Sequence, residues 1–161
     1  MEYLWAPWRM KYILSEKEGA CVFCVPSSRR DDRKRLILYR SELSIMIMNR
    51  FPYNNGHVMV APMTHTGHLE DLSLEELNDL FVLLRKTVLL LKKAMNPEGF
   101  NIGMNVGRVA GAGIADHLHF HVVPRWSGDT NFMPVVNETT VIPEALEKTY
   151  ERLLSVLNDM D

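Results

Sequence analysis

The spacing of apolar residues along the chain predicts several short strands and one long helix. Apolar runs cover residues 36–39, 43–48 and 57–61, and two further candidates cover residues 100–106 and 117–123. Runs of this length between turn residues are typical of strands. Only residues 40–42 separate the first two runs, which predicts a hairpin, and the Pro, Asn and Gly residues of 51–56 predict a turn.

Two segments show helical spacing instead. Ser73 is a favourable N-cap, and Glu76 completes a capping box with it. Apolar residues then recur at helical spacing as far as Asn96 and Pro97, namely at Leu77, Leu80, Phe81, Leu84, Val88 and Leu91. Pro143 can open a last helix, whose apolar face comprises Leu146, Tyr150, Leu153, Leu154 and Leu157.

This order of elements predicts an α+β fold with a mostly antiparallel sheet, because the connections are too short for crossover helices. The length suits one domain covering residues 1–161. Within it we expect an aromatic-rich N-terminal extension at residues 1–20 and a C-terminal extension with a helix at residues 124–161. The charged run at residues 27–35 is predicted to be a solvated loop.

Composition narrows the classes of partner. The formal net charge is −2, with 24% charged residues, whereas a dedicated nucleic-acid-binding protein usually has a basic excess. The longest apolar stretch, residues 87–91, ends at Lys92 and is far too short to span a bilayer. Glu2 and the tryptophans near the start do not resemble a secretory signal. We therefore expect a cytoplasmic protein with neither nucleic-acid nor membrane partners.

The pentapeptide His117-Leu118-His119-Phe120-His121 carries the strongest chemical signal. In a strand, alternate residues point to the same face, so all three imidazoles would share one surface. Packing alone does not explain them, because burying three unpaired imidazoles is costly. Two interpretations remain: a three-histidine metal site, whose ligands converge poorly from one straight strand, or a phosphoryl or nucleotidyl transfer site with the middle histidine as nucleophile.

Four glycines precede this strand, at positions 103, 107, 111 and 113. Glycines let backbone N–H groups turn toward an anion, and Asn105 and Arg108 could add donors. A plain flexible turn would have the same composition. The loop is evidence for an anion-binding site only because it directly precedes the histidines. His57, which starts another strand, is either structural or a fourth member of the same cluster.

Cys21 and Cys24 are the two cysteines of the chain. Their spacing suits a metal site or a redox pair, and the polar run after Pro26 favours metal because a redox pair normally opens a helix. His65 and His68 lie in a predicted loop after Pro62. Either of them is a candidate third zinc ligand.

Residues 117–123 also match the pattern His-φ-His-φ-His-φ-φ, where φ is apolar, and so resemble the signature of the histidine triad (HIT) family. Further blocks fit the same family in order and spacing, namely residues 48–50, 56–62 and 105–107. The tail of residues 124–134 and the start of the chain are similar to the branch of diadenosine polyphosphate hydrolases and phosphorylases. Residues 21–24 resemble the zinc-binding variant of that branch.

The resemblance implies a five-stranded antiparallel sheet with one long helix and a C-terminal helix, paired into a homodimer. It also implies nucleotide chemistry at an α-phosphate, through a covalent nucleotidyl-histidine at His119. His121 would contact the phosphate oxygens and His57 would hydrogen-bond within the cluster. Asn49 would lie near the ribose, and the phosphates would be held by Asn105 and by the loop through Gly111 and Gly113.

The same resemblance assigns His117, the first histidine of the triad, to a structural zinc ion. Its other ligands would be Cys21, Cys24 and a loop histidine, with His65 favoured over His68. Four protein ligands would close the tetrahedron, so the zinc ion would not contact the substrate.

Gly113 departs from the family pattern, since hydrolases typically carry Gln there and phosphorylases can carry Ser. Without a side chain at this position, either water or phosphate could accept the nucleotidyl group. The substrate would be an adenine nucleotide or a dinucleoside polyphosphate. The alternatives are a purine nucleoside phosphoramidase or adenylyl hydrolase with the same nucleophile, and a nucleotide-binding regulator.

Overall fold

The computed structural model describes residues 21–129, 142 and 144–160. These residues form one antiparallel sheet whose strand order is β1-β2-β3-β5-β4. The strand bounds are β1 Ile37–Arg40, β2 Ser44–Met48, β3 Val58–Pro62, β4 Gly99–Met104 and β5 Phe120–Arg125. The predicted five-stranded α+β fold is therefore confirmed.

The central strands bury both faces. Alternate residues of β2 and β3 contribute to two separate apolar clusters, one beneath the helices and one on the opposite face. Met46 and Val60 belong to the first cluster, whereas Ile45 and Met59 belong to the second. Because both faces are covered, these strands are nearly continuous apolar runs in the sequence rather than alternations of apolar and polar residues.

Helix α2, Leu74–Met95, is the predicted long helix, and it begins with the predicted capping box. The Ser73 hydroxyl accepts a hydrogen bond from the Glu76 N–H at 3.2 Å, and the Glu76 carboxylate accepts one from the Ser73 N–H at 2.8 Å. Helix α3, Leu146–Asn158, packs Tyr150 and Leu153 against the same core as α2. None of the described helices combines the length and apolarity that a bilayer span requires.

Two local predictions were wrong. Residues 27–35 are not only loop, because a short helix, α1, forms at Asp32–Arg35. The fifth strand begins at Phe120 rather than at His117. The cause is a different backbone partner, since the Leu118 N–H donates to the Thr66 carbonyl at 2.7 Å, in the connection between β3 and α2. The predicted extension at residues 1–20 and the helix-opening Pro143 lie outside the described residues.

Candidate active site and metal centre

Three histidines meet on the face of the sheet opposite the helices. His121 lies on β5 and pairs with Met59 of β3, whereas His57 lies directly before β3. The ring centroids of His57 and His121 are 5.1 Å apart, and those of His121 and His119 are 4.9 Å apart. The structure therefore brings together His57, His119 and His121, as the resemblance to the family implies.

A directed hydrogen-bond chain fixes the protonation of two of these rings. The Tyr53 backbone N–H donates to Nδ1 of His57 at 3.1 Å, and a backbone N–H can only donate. The proton of the neutral His57 ring is therefore on Nε2, which lies 2.9 Å from Nδ1 of His121 and donates to it. It follows that the neutral His121 ring carries its own proton on Nε2, as a donor.

His119 is held in the opposite tautomer. Its Nδ1 lies 2.9 Å from the backbone carbonyl of His117, and a carbonyl can only accept. Nδ1 of His119 therefore carries the proton, and the lone pair of the neutral ring is on Nε2. The Phe23 ring lies against this imidazole, with the centroids 4.7 Å apart and the planes tilted by 30°.

Burial favours the neutral form of His57 and His119. The pKa of His57 is lowered to about 3, chiefly by burial and also by the nearby His121 and His119. Burial also lowers the pKa of His119, against the opposing effect of the hydrogen bond to His117. A neutral ring with a free lone pair is a nucleophile, and a neutral ring with an N–H is a hydrogen-bond donor.

The predicted ribose and phosphate residues lie directly after β2 and in the loop after β4. Asn49 lies next to it, because its Nδ2 is 3.3 Å from Nδ1 of His57 while its Oδ1 accepts from the Phe51 N–H at 2.9 Å. Asn105 closes the base of the glycine loop by donating to the Gly111 carbonyl at 3.4 Å. Gly107 and Gly111 have φ of 82° and 91°, and this left-handed backbone favours glycine at both positions.

A second cluster brings together Cys21, Cys24, His65 and His117, whose ligand atoms all lie within 4.8 Å of one another. Nε2 of His117 donates to the Pro62 carbonyl at 2.8 Å, so the lone pair of the ring is on Nδ1. That Nδ1 is 3.4 Å from Cys21 Sγ, 3.7 Å from Cys24 Sγ and 3.1 Å from His65 Nδ1. His68 is not part of this group; its exposed ring lies near Glu70.

The donor set fits a tetrahedral metal ion. With Zn–S of about 2.3 Å and Zn–N of about 2.0–2.1 Å, the ligand atoms of a tetrahedral site are roughly 3.3–3.8 Å apart, close to the separations found here. Without a cation, burial and the neighbouring Cys21 raise the pKa of the Cys24 thiol, whereas a bound metal favours the thiolate. The hydrogen bond from His117 to Pro62 is also the kind of outer contact that orients a metal-binding imidazole.

Sequence reasoning missed three groups that shape these sites. They are the buried ring of Phe23, the backbone N–H of Tyr53 and the carbonyl of Pro62. The apolar residue between the two cysteines was a usable signal for Phe23. The contacts of Tyr53 and Pro62 could not be predicted, because they are made by main-chain groups, which every residue type provides apart from the N–H that proline lacks.

Comparison with known proteins identifies the family. The HIT domain family matches residues 30–128. An AP-4-A phosphorylase of Mycobacterium tuberculosis (strain CDC 1551 / Oshkosh) is 37% identical over 96% of this chain and 83% of its own length. An asymmetrical bis(5'-nucleosyl)-tetraphosphatase of Schizosaccharomyces pombe is 33% identical over 74% of this chain and 62% of its own length.

Among solved structures, a zinc-bound histidine triad family protein from Mycobacterium smegmatis superposes with a TM-score of 0.66. It is 25% identical and covers 88% of this chain and 96% of its own. The match in sequence, the sheet order and the histidine cluster agree with one another, and the chain belongs to the HIT family.

Proposed function

We propose that the protein transfers a nucleotidyl group from a dinucleoside polyphosphate to water or to inorganic phosphate. The observation that carries this proposal is the opposite tautomers of His119 and His121 in one cluster. One ring offers a lone pair and its neighbour offers an N–H, the two groups that attack at phosphorus requires. The names of the two relatives, a phosphorylase and a tetraphosphatase, support the same class of substrate.

The reaction proceeds in two steps. Nε2 of His119 attacks the α-phosphorus and forms an N–P bond while the bond to the bridging oxygen breaks, and the nucleoside polyphosphate leaves as its anion. Water or phosphate then attacks the adduct, restores His119 and releases a nucleoside monophosphate or diphosphate. In both steps the Nε2–H of His121 stabilises charge on the phosphate oxygens, because His57 fixes its proton there.

We assign substrate binding to groups around this cluster. Asn49 would bind the ribose, since it already lies beside His57. Asn105, Gly111 and Gly113 would bind the phosphates through the glycine loop. Gly113 has no side chain with which to select an acceptor, so the acceptor must be determined by experiment.

The decisive test uses His119→Asn, with His68→Asn as the matched control. The control removes an exposed imidazole outside both clusters. We expect His119→Asn to abolish turnover of diadenosine tetraphosphate and to retain AMP binding, and we expect the control to behave as wild type. Unchanged turnover in His119→Asn would refute the mechanism.

A product assay with and without phosphate separates the possible reactions. AMP plus ATP in either buffer would mean hydrolysis, whereas ADP formed only with phosphate would mean phosphorolysis. Faster turnover of an adenosine phosphoramidate than of the dinucleotide would favour the phosphoramidase alternative. Mass spectrometry of the rapidly quenched protein should detect adenylylated His119, and a nucleotide-binding regulator would show no such adduct.

We propose further that zinc occupies the second cluster through Cys21, Cys24, His65 and His117. Bound zinc would hold both thiols as thiolates and join residues 21–24 to the segment that carries the nucleophile. The carbonyl of His117 accepts the Nδ1–H of His119, so this anchor also keeps the nucleophile in the reactive tautomer. The metal centre is structural in this proposal.

We also propose that this single-domain protein, residues 1–161, forms a homodimer through α2 and the outer edge of β4. Among the described residues, β4 has a strand partner on one side only. Exposed apolar side chains lie on these two elements, namely Phe81, Val82, Leu89 and Ile102. Sedimentation velocity should give a dimer for wild type and a monomer for Ile102→Asp; a monomeric wild type would refute this assembly.

A cytoplasmic location remains part of the proposal. Its support is chemical, because thiols that serve as metal ligands persist in a reducing compartment. Cell fractionation with an antibody against the chain would test it, and recovery in a secreted fraction would refute it.

A further inference from the structure

Tyr53 is a large aromatic side chain that remains accessible at the rim of the histidine cluster. Its ring centroid lies 4.6 Å from that of His57 and 5.6 Å from that of His121, yet 44% of the residue is exposed. Aromatic rings of this size normally contribute buried area when they lie beside a core. An exposed ring next to reactive groups is therefore a candidate contact for a ligand.

The backbone holds this ring in place from both sides. Directly before it, the ring of Pro52 fixes the φ of that residue, and the Tyr53 N–H is fixed by its bond to His57. On the other side, the Asn54 amide donates to the Pro124 carbonyl at 3.1 Å and to Asp129 at 2.8 Å. Within the described part of the chain, the Tyr53 hydroxyl has no hydrogen-bond partner. The backbone that carries the ring is thus preorganised.

Tyr53 lies at the opposite end of a row of rings from Phe23. The order is Phe23, His119, His121 and Tyr53, with successive centroids 4.7, 4.9 and 5.6 Å apart. Phe23 is fully buried in the apolar cluster on this face, whereas Tyr53 is open to solvent. The row of rings therefore runs from a buried aromatic ring beside His119 to an accessible one beside His121.

A dinucleoside polyphosphate has two bases, and transfer from the α-phosphate retains one nucleoside while the other departs. We propose that Tyr53 is a specificity-determining residue whose ring stacks on the second base, the one in the leaving group. This inference rests on the proposed function and adds the feature that distinguishes a dinucleotide from a nucleoside polyphosphate. Stacking on an aromatic ring tolerates any base, since every base has a π-face.

The test compares diadenosine tetraphosphate with adenosine 5'-tetraphosphate, which has the same phosphate chain and a single base. Tyr53→Leu keeps an apolar side chain without the aromatic face, and Tyr53→Phe keeps the face without the hydroxyl. Tyr39→Leu is the matched control, because this half-buried tyrosine of β1 contacts Lys86 rather than the histidines. For each protein we compare kcat/KM of the dinucleotide with kcat/KM of the single-base substrate.

We expect Tyr53→Leu to lower this ratio about tenfold, within the roughly 5- to 160-fold range of base stacking, mainly through KM of the dinucleotide. Tyr53→Phe and Tyr39→Leu should keep the wild-type ratio. An unchanged ratio in Tyr53→Leu would overturn the inference, even if turnover of both substrates fell together. A loss in Tyr53→Phe equal to that in Tyr53→Leu would overturn it as well, because the hydroxyl would then be responsible.

Binding measurements separate this inference from the proposed reaction. Calorimetry of His119→Asn, with and without Tyr53→Leu, gives the affinities for both nucleotides in the absence of turnover. If wild type turns over neither substrate but Tyr53→Leu still weakens only dinucleotide binding, the proposed reaction fails and the base contact stands. Equal weakening of both nucleotides, or no binding of either, would overturn the base contact.

Discussion

The low pKa of His57 predicts how the stability of the protein depends on pH. In the folded chain this pKa is about 3, chiefly because the ring is buried, against an ordinary value of 6.5. The unfolded chain therefore binds a proton in a pH range where the folded ring stays neutral. The stability that the folded chain has with a neutral His57 ring is fully present above about pH 6.5. It is lost as the pH falls toward 3, because the unfolded chain gains a proton there.

The size of this effect follows from the two values. A shift of one pKa unit corresponds to about 1.4 kcal/mol, so complete loss would be about 5 kcal/mol and the loss at pH 5 about 2 kcal/mol. His57→Gln removes the titrating group and keeps an amide at a similar position. The free energy of unfolding of wild type, minus that of His57→Gln, should therefore fall by about 2 kcal/mol between about pH 7.5 and pH 5.

The assay is urea unfolding monitored by circular dichroism, with the same zinc concentration for both proteins. Because the metal centre is present in both, the difference between them isolates His57. His68→Gln, in which an exposed histidine outside the cluster is replaced, is the matched control and should keep the wild-type slope. Parallel pH profiles for wild type and His57→Gln would show that the folded ring is not held neutral.

Three substitutions test other parts of the structure. Cys21→Ser should lose nearly all bound zinc by metal analysis, and full retention would show that the ligand set is wrong. Gly56→Ala should cost more than about 1 kcal/mol in thermal unfolding, because φ is +74° and the new Cβ would lie 2.5 Å from Met95 Sδ; a neutral result would contradict that packing. Tyr150→Phe removes the hydrogen bond to the Ile37 carbonyl and should cost about 1–3 kcal/mol in urea unfolding, whereas an unchanged midpoint would mean that the carbonyl finds another partner.

Sequence patterns predicted those parts of the fold that depend on local chemistry. The capping box at Ser73 and the helix that follows it agree with the structure because their contacts are close in sequence. The start of β5 was misplaced because the partner of Leu118 is the carbonyl of Thr66, and no residue type encodes such a main-chain contact. Helix α1 was missed because its charged residues are also typical of a solvated loop.

The same distinction applies to the site. Residue types and their spacing in the sequence identified the histidines and both cysteines. The structure favours His65 over His68 as the fourth metal ligand, because His65 is the one of the two whose ring lies near the cysteines. The tautomers of His57 and His119 depend on a backbone N–H and a backbone carbonyl, which the sequence does not specify. The resemblance to the family predicted which residues meet, and the structure adds which atoms face one another.

The interior position of β5 in the sheet restricts where the chain can accept insertions. This strand pairs with β3 on one side and β4 on the other, with His121 opposite both Met59 and Gly103. One extra residue within Phe120–Arg125 would exchange the two faces of the strand, placing an imidazole in the apolar core beneath the helices. The glycine loop before it has no strand register to keep, so a change in its length should leave the sheet intact and affect the proposed phosphate contacts instead.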